Sequence, residues 1–100
     1  MRIEVYVVRT ELKTLKQRAE IQKVKENLIT EYGELTEIQG TKGYWLNGDT
    51  IVTDKTDIWV ILTKDNEDNL AIIEDYAKKL KVITRQSAQL FVINNTSYMV

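Results

Sequence analysis

The chain has 100 residues, a length that suits one globular domain, and its 43% apolar and 29% charged residues fit neither intrinsic disorder nor a membrane span. Fourteen basic and fifteen acidic residues leave a net charge of −1, without the basic excess typical of non-specific nucleic-acid binding. Cysteine and histidine are both absent, which excludes disulfides, thiol nucleophiles, imidazole bases and the common zinc sites.

The first predicted element is a strand over residues 2–9, because Ile3, Val5 and Val7 alternate with polar or aromatic side chains. The segment contains charges and lacks a small-residue cleavage site, so it does not fit a secretory signal peptide. We therefore expect a cytoplasmic protein.

A helix is predicted over residues 14–32. Thr14 and Gln17 have the spacing of a capping box, apolar residues then recur at helical intervals, and Gly33 suits a left-handed C-terminal cap. The charged residues between them have mixed signs, which is typical of a solvated face.

An extended segment over residues 34–46 follows, in which Gly40 and Gly43 indicate bulges or close approaches of the backbone. Asn47-Gly48 predicts a tight hairpin turn that would pair Trp45 with Thr50, and a second kink is expected at residues 54–56. Residues 57–63 form the most apolar strand, with apolar side chains on both faces, which is typical of a central strand.

The second helix is predicted from Leu70 to about Leu80, after the acidic and Asn-rich residues 65–69 and before a cluster of lysines, in agreement with the helix dipole. Residues 82–94 return to strand character. Asn94-Asn95 then suits a tight turn, since Asn tolerates the left-handed region, and residues 96–100 would form a short edge strand.

The resulting order of elements predicts an α+β domain with a ferredoxin-like βαββαβ sandwich, an antiparallel sheet with two helices on one face and an extra C-terminal edge strand. Residues 1–100 form this single domain. Two helices cover only one side of the sheet, so apolar side chains are expected on an open face. One choice of the alternating sets places six residues there, and a one-residue error would invert every assignment: Tyr6, Val8, Trp59, Ile61, Phe91 and Ile93. Such a surface predicts a homo-oligomer, most simply a dimer, formed through the open sheet face or a sheet edge.

Three stretches of this chain together resemble a group of small prokaryotic proteins of unassigned activity: Gly40-Thr41-Lys42-Gly43-Tyr44-Trp45, then Asn47-Gly48-Asp49-Thr50-Ile51-Val52, then Arg85-Gln86-Ser87-Ala88-Gln89-Leu90. The resemblance covers about residues 1–95 in order of elements. It implies a ferredoxin-like, oligomeric domain and brings no catalytic residues with it.

The preferred functional hypothesis is a small, self-associating, non-enzymatic binding or regulatory module without a cofactor. Its ligand or partner surface is expected at Lys42, Tyr44, Trp45 and Trp59, because aromatic residues beside glycines suit adaptable contact surfaces. No catalytic residue and no resident metal is assigned.

Two alternatives belong to other classes. In the first, a metal-dependent or acid–base enzyme would use Asp49, Asp54 and Asp57 of the hairpin. In the second, single-stranded nucleic acid would bind the sheet through five residues on adjacent strands: Arg2, Tyr6, Arg9, Arg85 and Phe91. The net charge of −1 weighs against nucleic acid. The acids at 65–68 fit helix capping better than a calcium loop, because Leu70 replaces the glycine that such a loop needs.

Overall fold

The computed structural model describes residues 1–100. The elements in chain order are β1 (Arg2–Val8), α1 (Leu15–Tyr32), β2 (Thr36–Asn47), β3 (Thr50–Leu62), α2 (Asn69–Ile83), β4 (Leu90–Ile93) and β5 (Thr96–Met99). The five strands form one antiparallel sheet in the order β2-β3-β1-β4-β5. This is the predicted ferredoxin-like arrangement, extended by β5 at one edge. Neither helix combines the length and the apolar character that crossing a membrane requires.

Helix α1 has the ends that its sequence predicts. The Thr14 hydroxyl accepts a hydrogen bond from the Gln17 amide, and the Gln17 side chain accepts one from the Thr14 amide, which completes a capping box. Gly33 adopts φ 83° and donates its amide to the Ile29 carbonyl. The sequence prediction for this helix is therefore confirmed at both ends.

The β2–β3 hairpin is also present, but two details of the prediction are wrong. Asn47 pairs with Thr50, so Gly48 and Asp49 form the two-residue turn, one position later than expected, and Gly48 has φ 63°. Glycine at the first central position is typical of type II′ turns. The expected kink at residues 54–56 does not occur, since β3 runs unbroken through them; the irregularity lies in β2, at a bulge around Gly40 with φ 75°.

The chain after α2 departs further from the prediction. Helix α2 continues to Ile83 and β4 covers only Leu90–Ile93, so residues 84–89 are irregular where a strand was expected. Asp68 at the helix start makes no side-chain cap bond, and its first turn has no acidic residue, so only Lys81 in the last turn follows the dipole rule. The Asn94-Asn95 turn is confirmed, with φ 47° and 69°.

The hydrophobic core lies between the sheet and both helices. Ile3 and Val5 of β1 are paired with Ile61 and Trp59 of β3, and Val5 is also paired with Phe91 of β4. Directly paired residues share a face of the sheet, so these side chains all lie under the helices. Placing Trp59, Ile61, Phe91 and Ile93 on the open face was therefore wrong, since all four are buried.

Candidate functional site

The hairpin extends well beyond the sheet that the helices cover. The last β1–β3 pair joins Val8 to Thr56, and beyond it β2 and β3 continue as a two-stranded ribbon over residues 42–55, which we call the hairpin arm. Tyr44, Leu46 and Ile51 are each more than two-thirds exposed there, and Trp45 is 48% exposed. The arm therefore leaves apolar side chains exposed on two strands that no third strand or helix covers.

Hydrogen bonds anchor the arm to the loop after β1. The Trp45 indole N–H donates to Asp54 Oδ2 at 2.9 Å, and the Thr10 hydroxyl donates to Asp54 Oδ1 at 3.1 Å. Thr10 Oγ1 also accepts the Lys55 amide at 2.9 Å. Both oxygens of the Asp54 carboxylate are thus engaged, and this carboxylate holds the Trp45 ring across the open face of the sheet.

A groove of about 1100 Å³ lies on the open face, between the arm and the loop that follows α2. Tyr6, Val8 and Ile58 contribute the inner side, on neighbouring central strands. The arm supplies one wall with Trp45 and Asp54, and the opposite wall is formed by residues 85–88. A groove of this size with aromatic, aliphatic and a few polar groups has the character of a small-molecule site.

A chain of polar contacts along β1 reaches the groove. The Arg2 guanidinium donates to Glu4 Oε1 at 2.8 Å, and the Tyr6 hydroxyl donates to Glu4 Oε2 at 2.7 Å. The hydrogen bond from Arg2, followed by that from Tyr6, lowers the pKa of Glu4. The hydrogen bond to Glu4, together with partial burial, raises the pKa of Tyr6. The Tyr6 hydroxyl is therefore engaged as a hydrogen-bond donor, which orients the ring.

Lys42, Tyr44 and Trp45 all lie on the arm, where Trp45 points to the open face while Lys42 and Tyr44, at alternate positions of β2, point to the opposite face. That they form a contact surface stays a prediction. Trp59 does not join them and is a correction: it is fully buried on the helix-covered face. Its indole N–H donates to Glu37 Oε2 at 2.8 Å, and Lys25 Nζ lies 2.7 Å from the same oxygen and 5.7 Å from the ring centroid. Burial raises the pKa of Glu37, but the hydrogen bonds from Lys25 and Trp59 outweigh it and lower that pKa.

The three hairpin carboxylates do not converge on a metal site. Asp49 lies in the terminal turn and Asp54 on the open face, whereas Asp57 is buried on the other face, where it pairs with Arg9 at 3.2 Å. No group of three or more acidic side chains has an arrangement that would hold a metal ion. The enzyme hypothesis that depends on these three carboxylates therefore lacks its geometry.

The residues proposed for nucleic-acid stacking are also divided between surfaces. Phe91 is buried under the helices and stacks on Tyr98, with ring centroids 5.2 Å apart, while Tyr6 faces the open side. Arg9 is held by the buried Asp57. No single aromatic and basic platform results.

Sequence reasoning missed the wall of the groove formed by residues 85–88, because these residues were assigned to a strand. It also missed Thr10, whose hydroxyl connects the β1 loop to the arm. The run Thr84-Arg85-Gln86-Ser87 is polar and follows the last apolar residue of a helix, which is a signal for a loop. Nothing in the sequence indicates that Arg85 adopts the left-handed conformation, with φ 54°.

Comparison with known proteins yields structural likenesses only. No protein-family model and no curated protein sequence matches the chain. A phage SAM lyase in complex with S-methyl-5′-thioadenosine is similar over 99% of this chain and 87% of its own, with a TM-score of 0.67 and 13% identity. The apo form of a phage SAM lyase gives a TM-score of 0.68 at 15% identity, over 99% of this chain and 86% of its own.

CutA1 from Oryza sativa is similar over 99% of this chain and 79% of its own, with a TM-score of 0.56 and 13% identity. At these identities the likenesses show the fold alone. They agree with the ferredoxin-like topology described above.

Proposed function

We propose that this domain is a self-associating, non-enzymatic binding module, in which the hairpin arm joins copies of the chain and the groove on the open sheet face takes a small planar ligand. The observation that carries the proposal is the exposed apolar surface of the arm. Trp45 borders the groove on the open face, and Tyr44, Leu46 and Ile51 lie exposed on the opposite face of the same ribbon. Exposed apolar area of this kind is most simply covered by a second copy, since a homo-oligomer buries it on every chain at once.

The contents of the groove support a planar ligand. Tyr6 and Trp45 offer aromatic rings, Val8 and Ile58 offer aliphatic contact, and polar groups follow the rim. Aromatic rings of this kind stack on heterocycles such as nucleobases. The phage SAM lyase with a similar fold holds S-methyl-5′-thioadenosine, which makes a nucleoside the first ligand class to test. A cytoplasmic location stays a prediction.

Size-exclusion chromatography with light scattering tests the association. We expect the wild-type chain at micromolar concentration to elute as a dimer or larger, and Leu46→Lys/Ile51→Lys, which charges a cross-strand pair of the arm, to elute as a monomer. The matched control is Leu15→Lys/Val82→Lys, which adds the same charge at two exposed apolar positions on the helices. A monomeric wild type, or a monomeric control, would contradict the proposal.

A second candidate function is turnover of an S-adenosyl compound, favoured by the likeness to phage SAM lyase over nearly the whole chain. Incubation with S-adenosylmethionine, followed by chromatography for S-methyl-5′-thioadenosine, tests it. Product formed at a rate that depends on the concentration of the chain, and that Tyr6→Phe changes, would replace the non-enzymatic proposal. Absence of product would leave the binding module as the better account.

A further inference from the structure

The loop after α2 contains an arginine in a backbone conformation that favours glycine. Arg85 has φ 54°, its amide donates to the Val82 carbonyl at 3.2 Å, and the Gln86 amide donates to the Lys81 carbonyl at 3.1 Å. These two bonds form a Schellman closure with Arg85 as its left-handed residue. Helix α1 of the same chain ends with Gly33 in the left-handed conformation, where no Cβ opposes it. Arginine at residue 85 therefore makes the end of α2 less stable than glycine would.

Contacts within the molecule do not compensate this backbone cost. Arg2 pairs with Glu4 and Arg9 with Asp57, but Arg85 takes part in none of the ion pairs. Its side chain is exposed, and no hydrogen bond from the guanidinium to another residue is formed. The guanidinium is thus free to contact something outside the chain, at the wall of the groove that faces the arm.

The charges around the groove leave Arg85 available to an anion. Asp54 already accepts hydrogen bonds from Trp45 and Thr10 on its two oxygens. The remaining ionisable groups of the lining are Glu11, Lys42, Tyr6 and Tyr44. Gln86 and Ser87 lie beside Arg85 and add neutral hydrogen-bond donors. One wall therefore offers an unpaired guanidinium with polar neighbours, while the other offers the Trp45 ring.

We propose that Arg85 recognises an oxyanion of the groove's ligand, either a carboxylate or a phosphate, while the planar part of that ligand contacts Tyr6 and Trp45. A guanidinium binds both kinds of oxyanion through two parallel hydrogen bonds. The left-handed backbone places residue 85 just past the end of α2, where it lines both this groove and a smaller cavity beside Glu74 and Lys81. This inference rests on the proposed function, because it assumes that the groove binds a small ligand.

The test is calorimetric titration of the full chain with three probes that share one nucleoside: adenosine, adenosine 5′-monophosphate and adenosine-5′-carboxylic acid. We expect at least one anionic probe to bind the wild-type chain more tightly than adenosine. Arg85→Gly should remove that advantage, which corresponds to a loss of about tenfold to a hundredfold in affinity. Tighter binding of adenosine 5′-monophosphate than of adenosine-5′-carboxylic acid would identify the oxyanion as a phosphate, and the reverse order would identify it as a carboxylate.

The Arg85→Gly variant also has an expected effect on stability, which separates binding from folding. Relief of the left-handed backbone should raise its melting temperature by about 4 °C while its affinity falls. Arg85→Lys keeps the charge but not the paired hydrogen bonds, and should retain part of the affinity. Arg18→Gln, which removes an arginine that lies outside the groove, is the control and should bind as the wild type does.

The contrary outcomes lead to two distinguishable conclusions. If the wild-type chain binds an anionic probe and Arg85→Gly binds it equally well, the role of Arg85 is overturned while the groove remains a binding site. The same follows if adenosine and its anionic forms bind equally. If the wild-type chain binds none of the three probes, the ligand-binding part of the proposed function fails and the inference fails with it.

Discussion

The two tryptophans of this chain make the same hydrogen bond in opposite surroundings. Trp59 donates its indole N–H to Glu37 at 2.8 Å, and Trp45 donates to Asp54 at 2.9 Å. Trp59 is completely buried under the helices, whereas Trp45 is 48% exposed on the hairpin arm. Both indole rings thus donate to a carboxylate, and the two sites differ in whether the helices cover the ring.

This difference separates a surface that maintains the fold from one that is available for binding. On the covered face, Lys25 joins Glu37 and lies over the Trp59 ring, so the polar group inside the core is fully paired. On the open side, Asp54 and Thr10 fix the Trp45 ring without covering it. A ring that is fixed but uncovered can bind a partner without first losing conformational entropy.

The largest expected effect comes from removing each ring in turn. Trp59→Ala should lower the free energy of unfolding by about 3–5 kcal/mol, because it leaves an indole-sized cavity and removes the hydrogen bond to Glu37. Trp45→Ala should cost about 1 kcal/mol or less, since much of that ring is already in water. Urea denaturation followed by circular dichroism measures both. Equal losses for the two variants would mean that the arm belongs to the folding core.

A second pair of variants compares a buried and an exposed glutamine on α1. Gln17 is buried, completes the capping box, and donates its side-chain amide to the carbonyls of Glu11 and Ile83. Gln17→Ala should therefore cost about 1–3 kcal/mol of unfolding free energy. Gln22→Ala, on the exposed side of the same helix, should change it by no more than about 0.5 kcal/mol. A small change in unfolding free energy at both positions would contradict the inference that the bonds from Gln17 to Glu11 and Ile83 stabilise the fold.

The smallest expected effect is a pH dependence of the unfolding free energy, which arises from Tyr32 on the helix-covered side of the sheet. Burial first, and then the negative charge of Glu31, raise the pKa of Tyr32 to about 12, and its hydroxyl donates to Asn69 at 3.1 Å. A folded-state pKa above the usual value of about 10 means that this stabilisation is complete below pH 10 and is lost as the pH rises toward 12.

Tyr32→Phe removes the hydroxyl and should cost about 1 kcal/mol at neutral pH. Because phenylalanine does not ionise, the stability difference between wild type and Tyr32→Phe should shrink between pH 10 and pH 12. Unfolding free energies at pH 8, 10 and 11 provide the comparison, and a difference that does not vary with pH would contradict the expectation.

How much was predictable depends on whether the signal is local. The capping box at Thr14 and Gln17, the cap at Gly33 and the turn at Asn94-Asn95 were all predicted, because each depends on the chemistry of a few adjacent residues. The one-residue error at the hairpin has the same origin. Asn47-Gly48 and Gly48-Asp49 are both acceptable turn pairs, and the choice between them depends on how the two long strands pair.

The groove was only half predictable for a related reason. Lys42, Tyr44 and Trp45 stand out in the sequence because aromatic residues follow glycines there. The opposite wall at residues 85–88 is distant along the chain, and it forms because α2 runs on to Ile83 and ends in a left-handed turn at Arg85. Nothing within a window of neighbouring residues connects the two walls.

The sequence by itself determined the order of the elements, the ferredoxin-like class and the alternation of β3, in which Ile58, Val60 and Leu62 face one way and Trp59 and Ile61 the other. Only the tertiary structure decided which set the helices cover. Alternation with a period of two divides the side chains of a strand into two sets, but it does not show which set faces the helices. The assignment depends on pairing across strands: Val5 opposite Trp59 and Phe91 makes one continuous apolar surface, and the apolar stripes of both helices pack against that surface.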